Sequence, residues 1–375
     1  MAQNTTRRDF AVGAAAFTIL QPQTVRAYQA NSALSVGLLG AGRRGVAISA
    51  IFARHEFARI AAICDIYDDQ LQAAAQKFSG ARLFKNSAEL LASDVDAIYI
   101  ATPPYLHPEN FEAAVEARKH IFMEKPAGVD PAGCRRVIAA AKKADPSKRI
   151  SVDYQQRYGK DYKRAYQIVK SGELGAVKMV RAAWLGGDLP RRSGHAPAEE
   201  PVRNWLFYRE KSGDIIVEQN CHNLDVVNWF TGMHPVKAFG YGGRAVRTDI
   251  GNIMDNLAVT FQFANGLNFS FSANQFSTGG FQDVSETFLC ERGAINTSRR
   301  GYKLYNNKDR NAPPQEVVTN YDITQDAVNE FVAGARTGQI ENAGFYAAES
   351  TLTAIMGREA IYSGREMTWD RISKA

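Results

Sequence analysis

Gly40, Gly42 and Gly45 stand at G-x-G-x-x-G spacing, and Asp65 follows Gly45 by 20 residues. In a strand–turn–helix setting the first glycine makes the tight turn. The second lets a pyrophosphate approach bare backbone, and the third lets the helix pack close on the strand. A carboxylate about 20 residues on can accept hydrogen bonds from an adenosine ribose. A second pair, Glu218 and His222, is spaced i, i+4, which predicts one shared helical face. An imidazole with a reference pKa near ~6.5 can take a hydroxyl proton at neutral pH and return it later. Two more stretches, Ala101-Thr102-Pro103 and Glu124-Lys125-Pro126, fall where strands should end. Of these residues, the glycine loop and Asp65 together mark a dinucleotide site. Asp65 favours NAD, because a carboxylate beside a 2′-phosphate is a like-charge contact. Arg43 and Arg44 in the glycine loop could hold that phosphate instead, so NADP stays open.

The elements around these residues alternate in the way that builds a parallel sheet. Leu34, Val36, Leu38 and Leu39 form a short apolar run suited to a buried strand, and Val46–Phe52 continues as a helix. Arg59–Cys64 is the next strand, and Asp68–Phe78 a helix with Asp68 as N-cap. Strand Asp96–Ala101 stops at Pro103-Pro104. Helix His107–Arg118, strand His120–Met123, helix Asp130–Ala144 and strand Ile150–Tyr154 complete the unit. Ligands in such sheets bind beyond the carboxyl ends of the strands, which gives Thr102, Pro103 and Lys125 their weight.

Beyond residue 155 the pattern changes. Asp161–Ser171 reads as a helix and Val177–Leu185 as a strand, followed by an irregular run, Gly186–Lys211. Loops of that length are usually functional. This one carries Trp205 and Tyr208, flat faces that suit sugar rings, with Arg191, Arg192 and Arg203. Strands then recur at Val236–Gly242, Asn256–Phe263, Leu267–Asn274, Val284–Cys290 and Ala294–Thr297, with a hairpin signal at Asn265-Gly266. The alternation of Leu257, Val259, Phe261 and Phe263 suits an antiparallel sheet with one covered face. Phe269, Phe271 and Phe276 point to contact with a partner. Helices Thr324–Ala335 and Gly344–Tyr362 end the chain.

The glycine loop, Ala101-Thr102-Pro103 with His107, Glu124-Lys125-Pro126 and the segment near His222 resemble, in this order and spacing, the glucose–fructose oxidoreductase/inositol dehydrogenase/MocA family. The likeness runs from about Ser35 to the C-terminus. It implies an α/β fold: an N-terminal Rossmann domain (31–155) and a C-terminal α+β domain (156–375) with a large, mainly antiparallel, open-faced sheet. It implies Lys125 as the active-site lysine, whose ammonium stabilises a developing alkoxide and whose pKa should fall beside a cationic nicotinamide. Pro126 sits where members often carry a cis bond. His222 matches the catalytic histidine, with Glu218 where the family has an aspartate, either orienting the imidazole or acting as acid/base itself. Thr102, Pro103, His107, Glu124 and Lys125 join Gly40, Gly42, Arg43, Arg44, Gly45 and Asp65 at the cofactor. Arg157, Arg203, Trp205, Tyr208 and Asp225 are candidate substrate contacts, Asp225 as a hydrogen-bonding residue and not a catalyst. A secondary hydroxyl of a sugar, glycoside or cyclitol is the implied substrate, with homodimers or homotetramers formed through the C-terminal sheet. A redox-neutral glycosidase using transient C3 oxidation, or a ligand sensor of the same fold, are the alternatives.

Residues 1–30 read as a leader to be set aside. Arg7-Arg8 precede an apolar run, Phe10–Leu20, of 11 residues, where a membrane span needs about 20. The paired arginines resemble the twin-arginine signal, which exports folded proteins. The expectation is a periplasmic or secreted protein that carries its cofactor out and keeps no membrane anchor after cleavage. The remaining composition is that of a globular chain, 45% hydrophobic and 22% charged. A formal charge of +6, part of it in the leader, is too small and scattered to argue for nucleic acid. Cys64, Cys134, Cys221 and Cys290 are isolated, and no metal site is expected.

Overall fold

The computed structural model describes residues 33–306 and 311–375, so the expected leader lies outside the described residues. Six short strands make the first sheet: β1 (Leu34–Leu39), β2 (Ala58–Cys64), β3 (Arg82–Phe84), β4 (Ala97–Ile100), β5 (His120–Met123) and β6 (Ile150–Val152). Their order is β3-β2-β1-β4-β5-β6, and every pairing is parallel. Helices cover both faces, so all six residues of β1 are buried and its sequence has no polar alternation to show. The strand order reverses between β1 and β4, which opens a crevice above Gly40 and Thr102. Asp68 begins the helix Asp68–Lys77 instead of capping it; Tyr67 holds the cap position, and Asp68 pairs with Lys85 at 2.8 Å. Asp130 does cap its helix, accepting a 2.7 Å bond from the Gly133 amide.

The second sheet has nine strands. They are β7 (Val177–Leu185), β8 (Pro235–Gly243), β9 (Asn256–Phe263), β10 (Asn268–Asn274), β11 (Asp283–Cys290), β12 (Ala294–Ser298), β13 (Gly301–Tyr305), β14 (Gln315–Val318) and β15 (Met367–Thr368). Their order is β14-β13-β12-β11-β7-β10-β9-β8-β15, and all pairings are antiparallel except β7 with β10. Leu257, Val259, Phe261 and Phe263 are buried on one face, as their alternation requires. Phe269 and Phe271 lie on the same covered side, 1% and 2% exposed, so they fill this chain's own core and need no partner. Phe276 is half-buried past the end of β10. The open face instead shows Ser, Thr and Arg, with Phe239 and Tyr241 exposed on β8.

A cut at residue 155 divides the sequence but not the packing. Ala327, Val328, Phe331 and Val332, on the helix Thr324–Thr337, share an apolar core with Val36, Phe52, Tyr99 and Phe122 of the first sheet's layer. Phe331 meets Phe122 edge-on at 5.3 Å. The helix Gly344–Ser363 ties the same two parts together next to Lys125. Thr351 Oγ1 accepts from the Ala127 amide at 3.0 Å, and Arg358 donates to the carbonyls of Val129 (2.7 Å) and Gly213 (3.1 Å). The loop after β5 is thereby fixed against the segment that carries Glu218.

Candidate active site

The glycine loop is held by close contacts. Gly40 has φ +99°, and a Cβ there would lie 2.7 Å from the Ala101 carbonyl carbon. A Cβ on Gly45 would sit 2.0 Å from the Gly40 oxygen, whereas one on Gly42 would meet nothing nearer than Arg192 Nη2 at 4.0 Å. The space above Gly42 is therefore open to a phosphate. Asp65 Oδ2 accepts from the Ala41 amide at 2.8 Å and Oδ1 from Tyr67 at 2.9 Å. Each oxygen keeps a lone pair for a ribose hydroxyl. A cleft of about 260 Å³ joins Gly40, Gly42, Asp65, Thr102 and Pro103 with Arg192, Arg203 and Trp205. These residues fit a dinucleotide.

Arg44 is committed elsewhere. Its Nε lies 2.9 Å from Glu124 Oε1 and its Nη2 bonds Asp153, while Arg43 stands in solvent. The arginine therefore turns away from a 2′-phosphate. Glu124 is spent in the same way, accepting from Arg44 and, at 2.8 Å, from the Tyr99 hydroxyl, so it supports the floor of the site instead of reaching a cofactor. Burial works against both carboxylates. Arg44 and Lys125 hold Glu124 ionised, below the ordinary range, and Asp153, pushed up to about 7, takes the proton. His107 is likewise a clamp: its ring nitrogens lie 2.6 Å from the Pro126 carbonyl and 2.8 Å from that of Thr102, fully enclosed. It joins the ends of β4 and β5 and presents neither nitrogen to a ligand.

Lys125 follows β5, and its peptide bond to Pro126 is cis. Its Nζ donates to Glu218 Oε1 at 2.7 Å and to the Glu218 carbonyl at 2.5 Å. Burial pulls the lysine's pKa down, but Glu218 outweighs it, so the net shift is upward and the ammonium persists. The expected fall toward neutrality is tied to a cationic nicotinamide beside the lysine, and the Glu218 pairing works against it.

Glu218 and His222 do not share a helix. One turn of helix, Ile215–Glu218, ends, the Asn220 amide bonds back to the Ile215 carbonyl, and a new helix, Cys221–Thr231, begins. The widened turn sends Glu218 to Lys125 and leaves His222 against two aromatic rings. Trp184 stacks on it at 5.9 Å and 18°, and Tyr154 meets it edge-on at 5.9 Å. His222 is 4% exposed, and its Nδ1 is buried without a partner. Burial, reinforced by Arg299, Lys125 and Arg44, holds its pKa well below the ordinary value. The imidazole is neutral, ready to accept a proton. Among the described residues both amide atoms of Gln156 and of Asn220, the latter two positions before His222, are buried and unpaired, as are Asp153 Oδ1, Gln155 Oε1 and Gln275 Oε1. Such groups are costly unless something hydrogen-bonds them, and a polyhydroxylated ligand offers a donor and an acceptor at each hydroxyl.

The expected substrate contacts divide. Arg157 and Asp225 bond each other at 2.8–3.0 Å, and Ser350 takes the remaining reach of Asp225, which is wholly buried. They frame the site from behind and are used up on each other. The run Gly186–Lys211 is not irregular throughout but folds into short turns of helix from Pro197 on. Its Trp205 and Arg203 line the cofactor cleft, with Arg203 bonded to Asp69 (2.8 and 3.0 Å) and set 3.6 Å over the Tyr67 ring. Tyr208 is half-buried within the same run, beside Glu200.

Three residues escaped the sequence reading: Trp184, Arg299 and Glu286. Each lies on or beside the β7, β11 and β12 strands, far in sequence from any motif. Glu286 is fully buried behind the site and accepts from Tyr162 (3.1 Å), Asn223 (2.7 Å) and Thr297 (2.7 Å). Burial pushes its pKa up to about 7 against those bonds. Between about 4.5 and 7 the folded state keeps a proton that the unfolded chain has released. Stability from this group is full at acid pH and is lost as pH rises through that window. Denaturant titrations at pH 5, 6, 7 and 8 should show this decline for the wild type and a slope weaker by about 1.4 kcal/mol per pH unit in Glu286→Gln. An unchanged slope would mean that Glu286 is ionised throughout.

Comparison with known proteins identifies the family. Residues 34–154 match the family model described as an oxidoreductase family with an NAD-binding Rossmann fold, and residues 162–296 match the GFO/IDH/MocA C-terminal domain. Myo-inositol 2-dehydrogenase of Thermotoga maritima is 26% identical over 236 residues, spanning 62% of this chain and 66% of that one. D-glucoside 3-dehydrogenase of Escherichia coli is 26% identical over 285 residues, 73% of this chain and 76% of that one. Among solved structures, levoglucosan dehydrogenase in complex with NADH and levoglucosan superposes with a TM-score of 0.76 at 18% identity, covering 89% of this chain and 99% of that one. With both domain models matched in order across the two sheets, the chain belongs to the GFO/IDH/MocA family of NAD-dependent oxidoreductases.

Proposed function

We propose that this oxidoreductase oxidises a secondary hydroxyl of a sugar, glycoside or cyclitol and keeps its NAD bound between turnovers. The observation that carries the reading is the pairing of Lys125 with Glu218, on the segment that leads to a neutral, aromatic-walled His222: a cation and a proton acceptor of the kind carbinol oxidation needs. NAD, when bound, supplies the hydride acceptor. The chain's own part is the proton and the charge. His222 takes the hydroxyl proton, and Nδ1 is closed in, so Nε2 is the nitrogen left to do it. Lys125 donates to the oxygen as negative charge develops, held in place by Glu218 Oε1 and the Glu218 backbone carbonyl. The carbinol loses a hydride and a proton and becomes a ketone. Relatives whose names state inositol and glucoside dehydrogenation support the substrate class. Incubation with a panel of glycosides and cyclitols, with products weighed by mass spectrometry, tests it: loss of two hydrogens is expected. Release of an aglycone with the sugar's mass unchanged would replace it with the glycosidase reading.

Tight retention is supported by the run 186–212, which lashes itself to both lips of the cleft. Arg203 holds Asp69 and Tyr67 after β2, and Lys211 Nζ lies 4.1 Å over the Tyr105 ring after β4. Retention also suits export by a twin-arginine leader into the periplasm, where free dinucleotide is absent. The open face of the nine-stranded sheet, with Phe239 and Tyr241 exposed, is the surface for a homodimer or homotetramer. Gel filtration with light scattering examines both: NAD should co-elute with a dimer or tetramer of the purified protein. A cofactor-free monomer that works only with millimolar added NAD would overturn them.

A further inference from the structure

We propose that Arg299 recognises the substrate, and that the sugar this enzyme oxidises carries an oxyanion (a carboxylate or an acidic ester) close to the reacting carbinol. The inference rests on the dehydrogenase reading of the site and adds to it the chemical class of substrate.

Arg299 sits in the two-residue turn between β12 and β13. Its guanidinium lies 5.4 Å over the ring of Trp184, and Trp184 is the ring stacked on His222 at 5.9 Å. The charge is thus one indole away from the base. Arg299 Nε is closed to solvent with no hydrogen-bond partner, and among the described residues the side chain makes no hydrogen bond and no ion pair. The other cations of the site are matched. Lys125 has Glu218, Arg44 has Glu124 and Asp153, and Arg157 has Asp225. No nearby acid is bonded to Arg299: Asp153 and Asp322 act on it only through space, Asp153 being bound to Arg44, and Glu286 already accepts three hydrogen bonds. A half-buried guanidinium with Nε closed off and no acid paired to it is costly to keep, and its terminal nitrogens are the ones left open to a ligand. Its planar fork matches a carboxylate, sulfate or phosphate ester in two parallel hydrogen bonds, which a neutral hydroxyl cannot supply. A neutral sugar would leave this charge unanswered.

The experiment compares methyl glucuronide, glucose 6-sulfate and glucose 6-phosphate with methyl glucoside, which presents the same ring with a neutral group at C6. Steady-state turnover with an added electron acceptor that reoxidises the bound cofactor gives kcat/KM, and quenching of the protein's tryptophan fluorescence gives equilibrium binding. At least one anionic member should exceed the neutral sugar, and its identity separates carboxylate from ester. Arg299→Met keeps the stem over the indole and removes the charge. It should lower kcat/KM for the anionic member by about 10- to 100-fold, mostly through KM, and so collapse its advantage. Arg299→Lys, a charge without the fork, should recover part of it. A wild type with no preference for any anion in turnover and in binding overturns the proposal, whether or not the variants fold. So does an Arg299→Met that loses equally on charged and neutral sugars. Selective binding of an anion with no reduction of NAD would leave Arg299 assigned and refute the dehydrogenase reading instead.

Discussion

Lys125→Met and His222→Gln should each lower kcat by about 10²- to 10⁴-fold while the purified variants keep their NAD. Methionine preserves the apolar stem of a side chain that is buried, and glutamine keeps a polar planar group without a titratable nitrogen. The dinucleotide should stay because Gly42, Asp65 and the Arg203–Asp69 clasp hold it from the other side. The pH profile separates the roles further. With His222 held well below its ordinary pKa by burial and by Arg299, Lys125 and Arg44, oxidation should already be on its plateau at pH ~6.5. The rising limb belongs at lower pH and should vanish in His222→Gln. Glu218→Gln reports on the lysine, since Glu218 contacts Lys125 and not the imidazole. Without that carboxylate, burial acts on the ammonium opposed chiefly by the more remote charge of Glu124, and its pKa falls. Activity should then decline on the alkaline side at a lower pH than in the wild type, with the acid limb in place. Movement of the acid limb instead would make Glu218 an orienter of His222. Wild-type turnover by both Lys125→Met and His222→Gln on a confirmed substrate would remove the site from consideration.

The contrast between what the sequence told and what it did not follows the range of the interactions. The glycine loop and Asp65 were legible because their chemistry is local: a strand end, a turn, a helix start and one carboxylate at fixed spacing. Alternation exposed β9 for the same reason, since period-two burial is written along the strand itself. The error at Glu218 and His222 came from assuming regular helix across four residues. The backbone opens one residue wide at Asn220, and nothing in Gln219-Asn220 announces it. His107, Glu124, Arg157 and Asp225 were read as ligand contacts because polar residues near a site attract that reading. Their partners, Pro126 and Thr102 for one, Tyr99 and Arg44 for the next, each other for the last two, could not be known before the chain was folded.

The phenylalanines and Arg299 mark the same boundary from opposite sides. Phe269 and Phe271 looked like a surface awaiting a partner because the rest of their apolar core, which includes Leu224, Val227, Ile355 and Met356, lies far away in sequence. Arg299 drew no reading from the sequence. Arg300 is exposed, but Arg299 folds back over Trp184, a residue from a strand two places away in the sheet. Burial made the first pair unremarkable and the second residue informative. In both cases the decisive neighbour arrives through sheet order, which a single sequence does not record.

Gly45→Ala should abolish retention of NAD and destabilise the protein even when the cofactor has been stripped. The added methyl would lie 2.0 Å from the Gly40 carbonyl oxygen, 3.1 Å from Leu38 Cδ1 and 3.2 Å from Ala101 Cβ. The first of these is backbone, and it cannot yield, because Gly40 itself has φ +99° and is pressed against Ala101. Relief requires lifting the helix Arg43–Arg54 off β1, an overpacking cost of about 1–3 kcal/mol that also carries the helix N-terminus away from the pyrophosphate. Gly42→Ala is the matched comparison. Gly42 has φ −67°, which alanine adopts freely, and its methyl would find only Arg192 Nη2 at 4.0 Å. That variant should unfold at the wild-type temperature when stripped of cofactor and still lose NAD affinity by about 10-fold or more, because the methyl occupies the approach to the phosphates. Thermal unfolding of the stripped proteins and the NAD content of the purified ones measure the two effects separately. Equal destabilisation by both substitutions would make Gly42 a packing residue like Gly45. Retention of NAD by Gly45→Ala at wild-type stability would show that the helix and β1 have slack which the 2.0 Å contact denies.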